Sequence, residues 1–355
     1  MSINTVTAEQ LTRVIYDDKT LRPPTTWFLN QFFTNVHRSD KQEIFLNKVA
    51  GAAKLAPLVV PTAQGRPVYE RAESVEVISP AYLKPKDSVD PDRVIQRQAG
   101  FGEFGPYMVT NAMSPQERLN AIRVDILREH KHSIYRRWEW MAVRAIVDAQ
   151  VVLEGPDYPR TVVDFRRDPT LSPTLPAADM WNNTAVDIVD QVEAWMDAMQ
   201  AAPFGGAPSM MIMGNAAWAA FRKNVRIKEM MTRDVITIPQ AEVERGVRSP
   251  QANTEFRQVG YMTNGLPIYV FSAQYQDENG QWQYYMDQRD VLLVGDVMGA
   301  ACYGAIKDLG ELRPLEMWSK SWMEQDPSSE FIMTQSAPLM FPSAPNRSFH
   351  VRVLP

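Results

Sequence analysis

Cysteine is almost absent: Cys302 is the single thiol in 355 residues, so neither an intramolecular disulfide nor a cysteine-based metal cluster can form. No apolar run is long enough to cross a membrane. The start, Met1-Ser2-Ile3-Asn4-Thr5, has neither the basic opening nor the apolar core of a signal peptide, and we expect synthesis in a reducing cytoplasm. An excess of positive charge is missing too. Lys and Arg number 37 against 42 Asp and Glu, and a net charge of -5 disfavours nucleic-acid wrapping as the main task. Phosphate-binding loops, dinucleotide glycine fingerprints, nucleophile elbows and zinc-protease helices are all lacking. His37 and His350 stand alone in the sequence, and His130 and His132, two apart on one helix, point to different faces. Asp277-Glu278-Asn279-Gly280 lacks the remaining ligand spacing of a calcium loop and reads as a hairpin turn. Cys302, between Ala301 and Tyr303, reads as a buried, inert thiol. We therefore assign no catalytic residue, no cofactor and no metal site.

What is present is organised around one long helix, expected from Pro115 to about Leu153. Ser114-Pro115-Gln116-Glu117 supplies a hydroxyl cap, a proline at the first helical position and a glutamate placed to close a capping box. Leu119, Ile122, Ile126, Ile134, Trp138, Met141, Ala145, Ala149 and Val152 then recur near helical spacing, until Gly155-Pro156 stops the pattern. Arg118, Arg123, Arg128, Lys131, Arg136, Arg137 and Arg144 occupy its other sides, read as a solvated basic face. A rod of this length suggests a spine across a broad, thin molecule.

Proline is plentiful, 26 residues, and unevenly spread. Residues 1–40 look like an arm: Thr7 to Tyr16 permits a short helix, Pro23-Pro24 stops it, and Trp27-Phe28-Leu29 with Phe32-Phe33 needs a surface to cover it. That surface is either the chain's own domain or a neighbouring subunit. From Leu58 to Met108 prolines forbid a long helix, with short β-type runs at Val75–Ile78 and Val94–Ile95. Arg66, Arg71, Lys84, Lys86, Arg93 and Arg97 are matched there by Glu70, Glu73, Glu76, Asp87, Asp90 and Asp92. A long two-stranded hairpin reaching over something else fits better than a structureless loop. Asp157 to Ala178 reads as a proline-rich crossing into a second unit, about 181–318, with an amphipathic helix at Thr184–Gln200 and buried strands at Met210–Met213, Pro267–Phe271 and Val291–Val294. The chain then returns through strands at Glu330–Thr334 and Phe349–Val353, expected to pack with the long helix.

Two segments carry a family signature. Pro80-Ala81-Tyr82-Leu83-Lys84-Pro85-Lys86 with Val89-Asp90-Pro91 resembles the extended loop of the phage lambda major capsid protein family. Asp326-Pro327-Ser328-Ser329-Glu330-Phe331, followed by Gln335-Ser336-Ala337-Pro338-Leu339-Met340, is similar to its C-terminal strand region, and the Phe28–Phe33 arm is similar too. Segment order agrees across nearly the whole chain, with 157–320 the weakest part. The resemblance implies an α+β fold of the tailed-phage, Hong Kong 97 type. Its parts would be an N-terminal arm (1–40), a first piece of the peripheral domain (41–57), an extended loop (58–110) and the peripheral domain with its spine helix (111–180). An axial domain (181–318) and the C-terminal strands of the peripheral domain (319–355) would complete it.

The resemblance also implies self-assembly into hexamers and pentamers of an icosahedral head in the virion, built in the host cytoplasm around double-stranded DNA. Scaffolding protein, portal and a decoration protein at threefold positions are the implied partners, with no membrane and no enzymatic role. Trp27, Phe28, Phe32 and Phe33 are expected to anchor the arm on a neighbouring subunit, so that Phe32→Asp with Phe33→Asp gives soluble protein unable to form shells. Arg71, Glu73, Glu76, Tyr82, Lys84 and Lys86 are expected to make loop contacts across subunits. Some relatives of the fold crosslink a loop lysine to a neighbouring asparagine; the mixed charge around Lys84 and Lys86 favours ionic contacts instead. Two rival readings are a cellular nanocompartment shell of the same fold and an enzyme with its site in the inserted α/β unit.

Overall fold

The computed structural model describes residues 7–8, 10–12, 26–41, 44–51, 71–89, 115–155, 158–227, 255–262, 265–308, 314–326 and 328–355. The expected strand at Val94–Ile95, the cap at Ser114 and most of the polar stretch 228–258 lie outside them. The long helix, α2, runs Pro115–Val147, 33 residues and about 50 Å. It stops well short of the expected Leu153. The reason is local: Ala149 adopts a left-handed backbone (φ 53°), a position where glycine is usual. The Arg167 guanidinium meanwhile donates to the terminal carbonyls of Ile146 (2.8 Å) and Val147 (2.7 Å). Residues Gln150–Gly155 (β5) and Tyr158–Asp164 (β6) then form a hairpin where an irregular crossing was expected.

Ahead of α2 lie a short arm helix, α1 (Trp27–Phe32), and strands β1 (Asn35–Arg38), β2 (Ile44–Gly51), β3 (Arg71–Ile78) and β4 (Lys86–Val89). After β6 come α3 (Ile188–Ala201), β7 (Met210–Met213), α4 (Asn215–Phe221), β8 (Phe256–Tyr261), β9 (Pro267–Phe271), β10 (Gln274–Gln276), β11 (Trp282–Tyr284) and β12 (Asp290–Val294). The last strands are β13 (Gly299–Tyr303), β14 (Trp318–Gln325), β15 (Ser328–Gln335), β16 (Pro338–Pro342) and β17 (Ser348–Arg352). The Asp187 carboxylate caps α3, accepting from Val189 N–H (3.0 Å) and Asp190 N–H (3.3 Å).

Sheet membership corrects the expected boundaries. β13, inside the expected 181–318 unit, pairs with β1 and β16 in a sheet of the first domain. Strand β17 returns to the long helix as expected, and it does so as the edge of the five-stranded sheet β17-β12-β7-β9-β8 of the second, where it pairs with β12. The ascending strand of the loop ribbon, β2, begins at Ile44 rather than beyond residue 57. Nor does the inserted unit hold a core wholly of its own. Side chains alternate across its sheet, so Met210, Ile212, Leu292 and Val294 join the core around α1 and α2. Met211, Met213, Val291, Leu293, Phe349 and Val351 face α3 and α4 in a second core. One β-sheet is thus the partition between two hydrophobic clusters.

The basic side of α2 is only partly solvated. Arg123 and Arg128 are buried, Arg123 pairing with Glu330 at 2.8 Å and Arg128 with Asp125 at 3.0 Å. Arg144 pairs with Asp148 (3.0 Å), and the Arg137 guanidinium lies 4.9 Å from the Trp140 ring centre.

Candidate interaction surfaces

The arm aromatics turn inward, which corrects their expected role as anchors on a neighbour. Phe28, Phe32 and Phe33 are buried in this chain, and half-buried Trp27 stacks on Phe256 of β8 with ring centres 3.5 Å apart. Phe28 lies 5.0 Å from Phe271 of β9, so α1 is a wedge between α2 and the five-stranded sheet. The first turn of a helix exposes amides that must be satisfied. Glu139 of α2 does this: Phe28 N–H donates to Oε1 at 2.8 Å and Leu29 N–H to Oε2 at 2.9 Å. Glu139 is fully buried, and burial pushes its carboxyl up to about 8. Sequence reading missed it. The available signal was an acid in helical phase with Ala142, Val143 and Ile146, all buried.

The loop base docks on the chain's own sheet. Leu83 and Ser336 exchange backbone hydrogen bonds (2.8 and 3.1 Å), and β4 continues the sheet β14-β15-β4. The Tyr82 hydroxyl donates to the Ala305 carbonyl at 2.7 Å, and burial raises its pKa. The Lys84 ammonium sits 5.0 Å from the Tyr82 ring centre and that of Lys86 4.0 Å from Phe331. Tyr82 and Lys86 therefore find their first partners within the chain. Arg71, Glu73 and Glu76 take register positions opposite Gly51, Val49 and Leu46 in the β2–β3 ribbon. The contacts expected of those three side chains lie outside the described part of the structure.

His130 joins four elements through one polar chain. Its Nε2 lies 2.9 Å from Asp87 Oδ2 on β4 and its Nδ1 3.1 Å from Thr334 Oγ1 on β15. Thr334 in turn meets Ser319 Oγ of β14 at 2.8 Å, and Ser319 N–H donates to Thr12 Oγ1 at 3.2 Å. Burial lowers the His130 pKa below its ordinary 6.5, outweighing the pull of Asp87 upward. The unfolded chain then binds the extra proton, so this contribution to stability is present above pH 6.5 and is lost as pH falls below it. The urea midpoint of the wild type should drop on going from pH 7.5 to 5 by more than that of His130→Gln, and equal drops would remove His130 from the argument.

His350 is not alone either: its Nε2 lies 2.9 Å from Asp290 Oδ2, whose other oxygen accepts from Arg352 Nε at 3.1 Å. Burial pushes the Cys302 thiol up to about 11, which suits an inert core residue. Among the described residues no three His, Cys, Asp or Glu side chains are grouped to hold a metal ion. The open surface consists of other features. A groove of 880 Å³ runs between the loop base, α2 and the β5–β6 and β10–β11 hairpins, lined in part by Lys84, Arg136, Arg137, Trp140, Glu154 and Glu278. Trp282 beside it is 67% exposed, and Phe204 and Met298 are displayed on turns with left-handed backbones. Such mixed-charge grooves and isolated aromatic anchors fit contacts between large, flat protein surfaces better than they fit chemistry on a small molecule.

Comparison with known proteins agrees. A sequence profile described as Phage major capsid protein E matches residues 7–353. The major capsid protein of Enterobacteria phage P21 is 27% identical over 336 residues, covering 92% of this chain and 93% of that one. That of Escherichia phage lambda is 25% identical over 334 residues, covering 92% and 93%. Among solved structures, a putative capsid protein of a prophage in E. coli CFT073 superposes with a TM-score of 0.72 at 22% identity, covering 99% of each chain. A phage-related protein from Bordetella bronchiseptica RB50 superposes with a TM-score of 0.51 at 12% identity over 98% of each chain.

Proposed function

This chain belongs to the phage major capsid protein E family, with the tailed-phage capsid fold, and on that premise we propose how its surfaces build a shell. Copies associate through the β2–β3 ribbon, the groove on α2 and the exposed hairpins into hexamers and pentamers of an icosahedral head. Arg71, Glu73, Glu76 and Lys84 contact neighbouring copies, their alternating signs setting register more than affinity. Tyr82 and Lys86 hold the base of the loop at a fixed angle to α2 so that the ribbon reaches outward. Double-stranded DNA fills the shell without sequence readout, in keeping with the chain's net charge of -5. A scaffolding protein, a portal and a decoration protein at threefold positions complete the particle, which is assembled in the host cytoplasm.

The observation that carries this reading is the extent of the match: residues 7–353 take in both cores and the loop strands rather than one unit. Negative-stain electron microscopy of the protein expressed with and without its neighbouring genes tests it. Closed shells, tubes or capsomer rings are expected in at least one sample. A monodisperse monomer or dimer in both would sink the proposal.

A further inference from the structure

We propose, on the strength of the shell reading, that adjacent copies of this chain meet head to tail through the outer layer of the inserted unit. The basic turn that follows α4 in one copy seats on the acidic face of α3 in the next. Residues 168–221 hold Asp168, Asp179, Asp187, Asp190, Glu193 and Asp197 and not one Lys, Arg or His, so the chain's net charge of -5 is concentrated there. Asp190, Glu193 and Asp197 fall at helical spacing on the exposed side of α3, away from buried Val192, Trp195 and Met199. None of the three pairs with a base among the described residues. The same layer then changes sign: Arg222, Lys223 and Arg226 follow α4, all exposed, with Val225 55% exposed among them.

The basic turn is firmly presented. Buried Asn224 donates from Nδ2 to the Val186 carbonyl at 2.8 Å and accepts from Arg226 N–H at 3.0 Å, and Ile227 is fully buried behind it. That anchorage sets the turn beside the start of α3, where Arg226 pairs with Asp187 at 3.6 Å. Arg222 and Lys223 make no ion pair among the described residues. Asp197 lies roughly three turns, about 15 Å, further along α3. The layer is thus positive at one end and negative along its length. Rings of five and six cannot be closed by twofold contacts alone, so a shell needs a contact with two unlike halves. Arg222 and Lys223 of one copy against Glu193 and Asp197 of the next supply them, with opposite charges fixing the register. Exposed Val225 and the small Ala194, between the two acids, give the contact an apolar centre.

Two charge-reversed chains test this, each expressed with the neighbouring genes beside wild type: Arg222→Glu with Lys223→Glu, and Glu193→Lys with Asp197→Lys. All four side chains are exposed, so urea midpoints should match wild type. Either chain alone should yield at least about tenfold fewer rings and shells by electron microscopy, and a chain carrying all four changes should regain the wild-type yield. Coexpression of the two reversed chains should give six-membered rings, tubes or sheets but no closed shells, because an alternating ring closes only on an even number and no pentamer can form. Closed shells from that mixture would assign the contact to a twofold pair and overturn the head-to-tail order, as would a mixture that assembles no better than its parts. Normal assembly of either reversed chain overturns the proposal, and so does a folded four-change chain that stays unassembled. If the acid-reversed chain alone fails, the occupant of α3 is a basic segment of another protein instead. Should a reversed chain fail to fold, Glu193→Gln with Asp197→Gln decides, an unchanged ring yield overturning the contact. A wild type that forms no rings brings down the shell reading and this contact with it, whereas a wild type that assembles beside equally competent variants brings down the contact alone.

Discussion

Glu330→Ala should destabilise the chain by about 3–5 kcal/mol, because it leaves the Arg123 guanidinium buried without a counter-charge. Arg123 is 3% exposed and Glu330 5%, and the Glu330 Oε2 accepts from both Nε (2.9 Å) and Nη2 (2.8 Å) of Arg123. Nη1 is occupied by Asn120 (3.0 Å), which cannot neutralise the charge. The pair ties the first third of α2 to β15, so the loss should appear as a lower urea midpoint and as easier proteolysis between residues 318 and 335. Replacing both partners with apolar side chains, Arg123→Met with Glu330→Leu, should recover most of the loss, since two desolvation costs vanish together. A Glu330→Ala midpoint within experimental error of wild type would mean that water reaches Arg123.

Phe32→Asp with Phe33→Asp should abolish folding rather than assembly alone. Phe32 is 7% and Phe33 3% exposed, and Phe28, Phe32 and Trp27 contact one another edge to face or tilted at 5.3–5.6 Å. Two carboxylates would be taken out of water there, and each costs several kcal/mol after relaxation. The backbone of the segment is also tightly fitted: a Cβ at Gly299 of β13 would lie 2.3 Å from the Phe32 carbonyl oxygen. Soluble yield and far-UV circular dichroism decide the matter. Well-folded, soluble double mutant that fails only to form particles would restore the intersubunit role read from the sequence.

These two cases show what the sequence could and could not reveal. Five apolar residues within seven near the start of a chain announce that something must cover them, but composition does not say whose surface it is. Answering that needed β8 and β9, more than 220 residues away. The Pro115 start of α2 was legible because proline at a first helical position is a local signal, whereas its end depends on Ala149 entering a conformation that alanine rarely adopts and on Arg167 reaching back from beyond a hairpin. The basic face of α2 misled for the same reason. Arginine spacing along a helix does not disclose that Glu330 lies opposite Arg123. The loop-base segment 80–86 and the 326–340 segment were read separately, and the structure joins them as partners in one sheet. Family pattern and local pattern agreed on element order. They disagreed with the structure wherever strand pairing crossed an expected domain boundary.

One such crossing has a bearing on how the chain is made. Strand β12 lies between β7 and β17, so the sheet that divides the two cores is incomplete until residues 348–352 pair with 290–294. On a ribosome, everything before β17 has already emerged while that edge is still open, and Val291, Leu293 and their neighbours remain half-covered. The second core, which takes Phe349 and Val351 from β17, stays open until that pairing is made. A truncation at residue 345 should therefore yield a chain held by chaperones rather than a smaller, folded subunit.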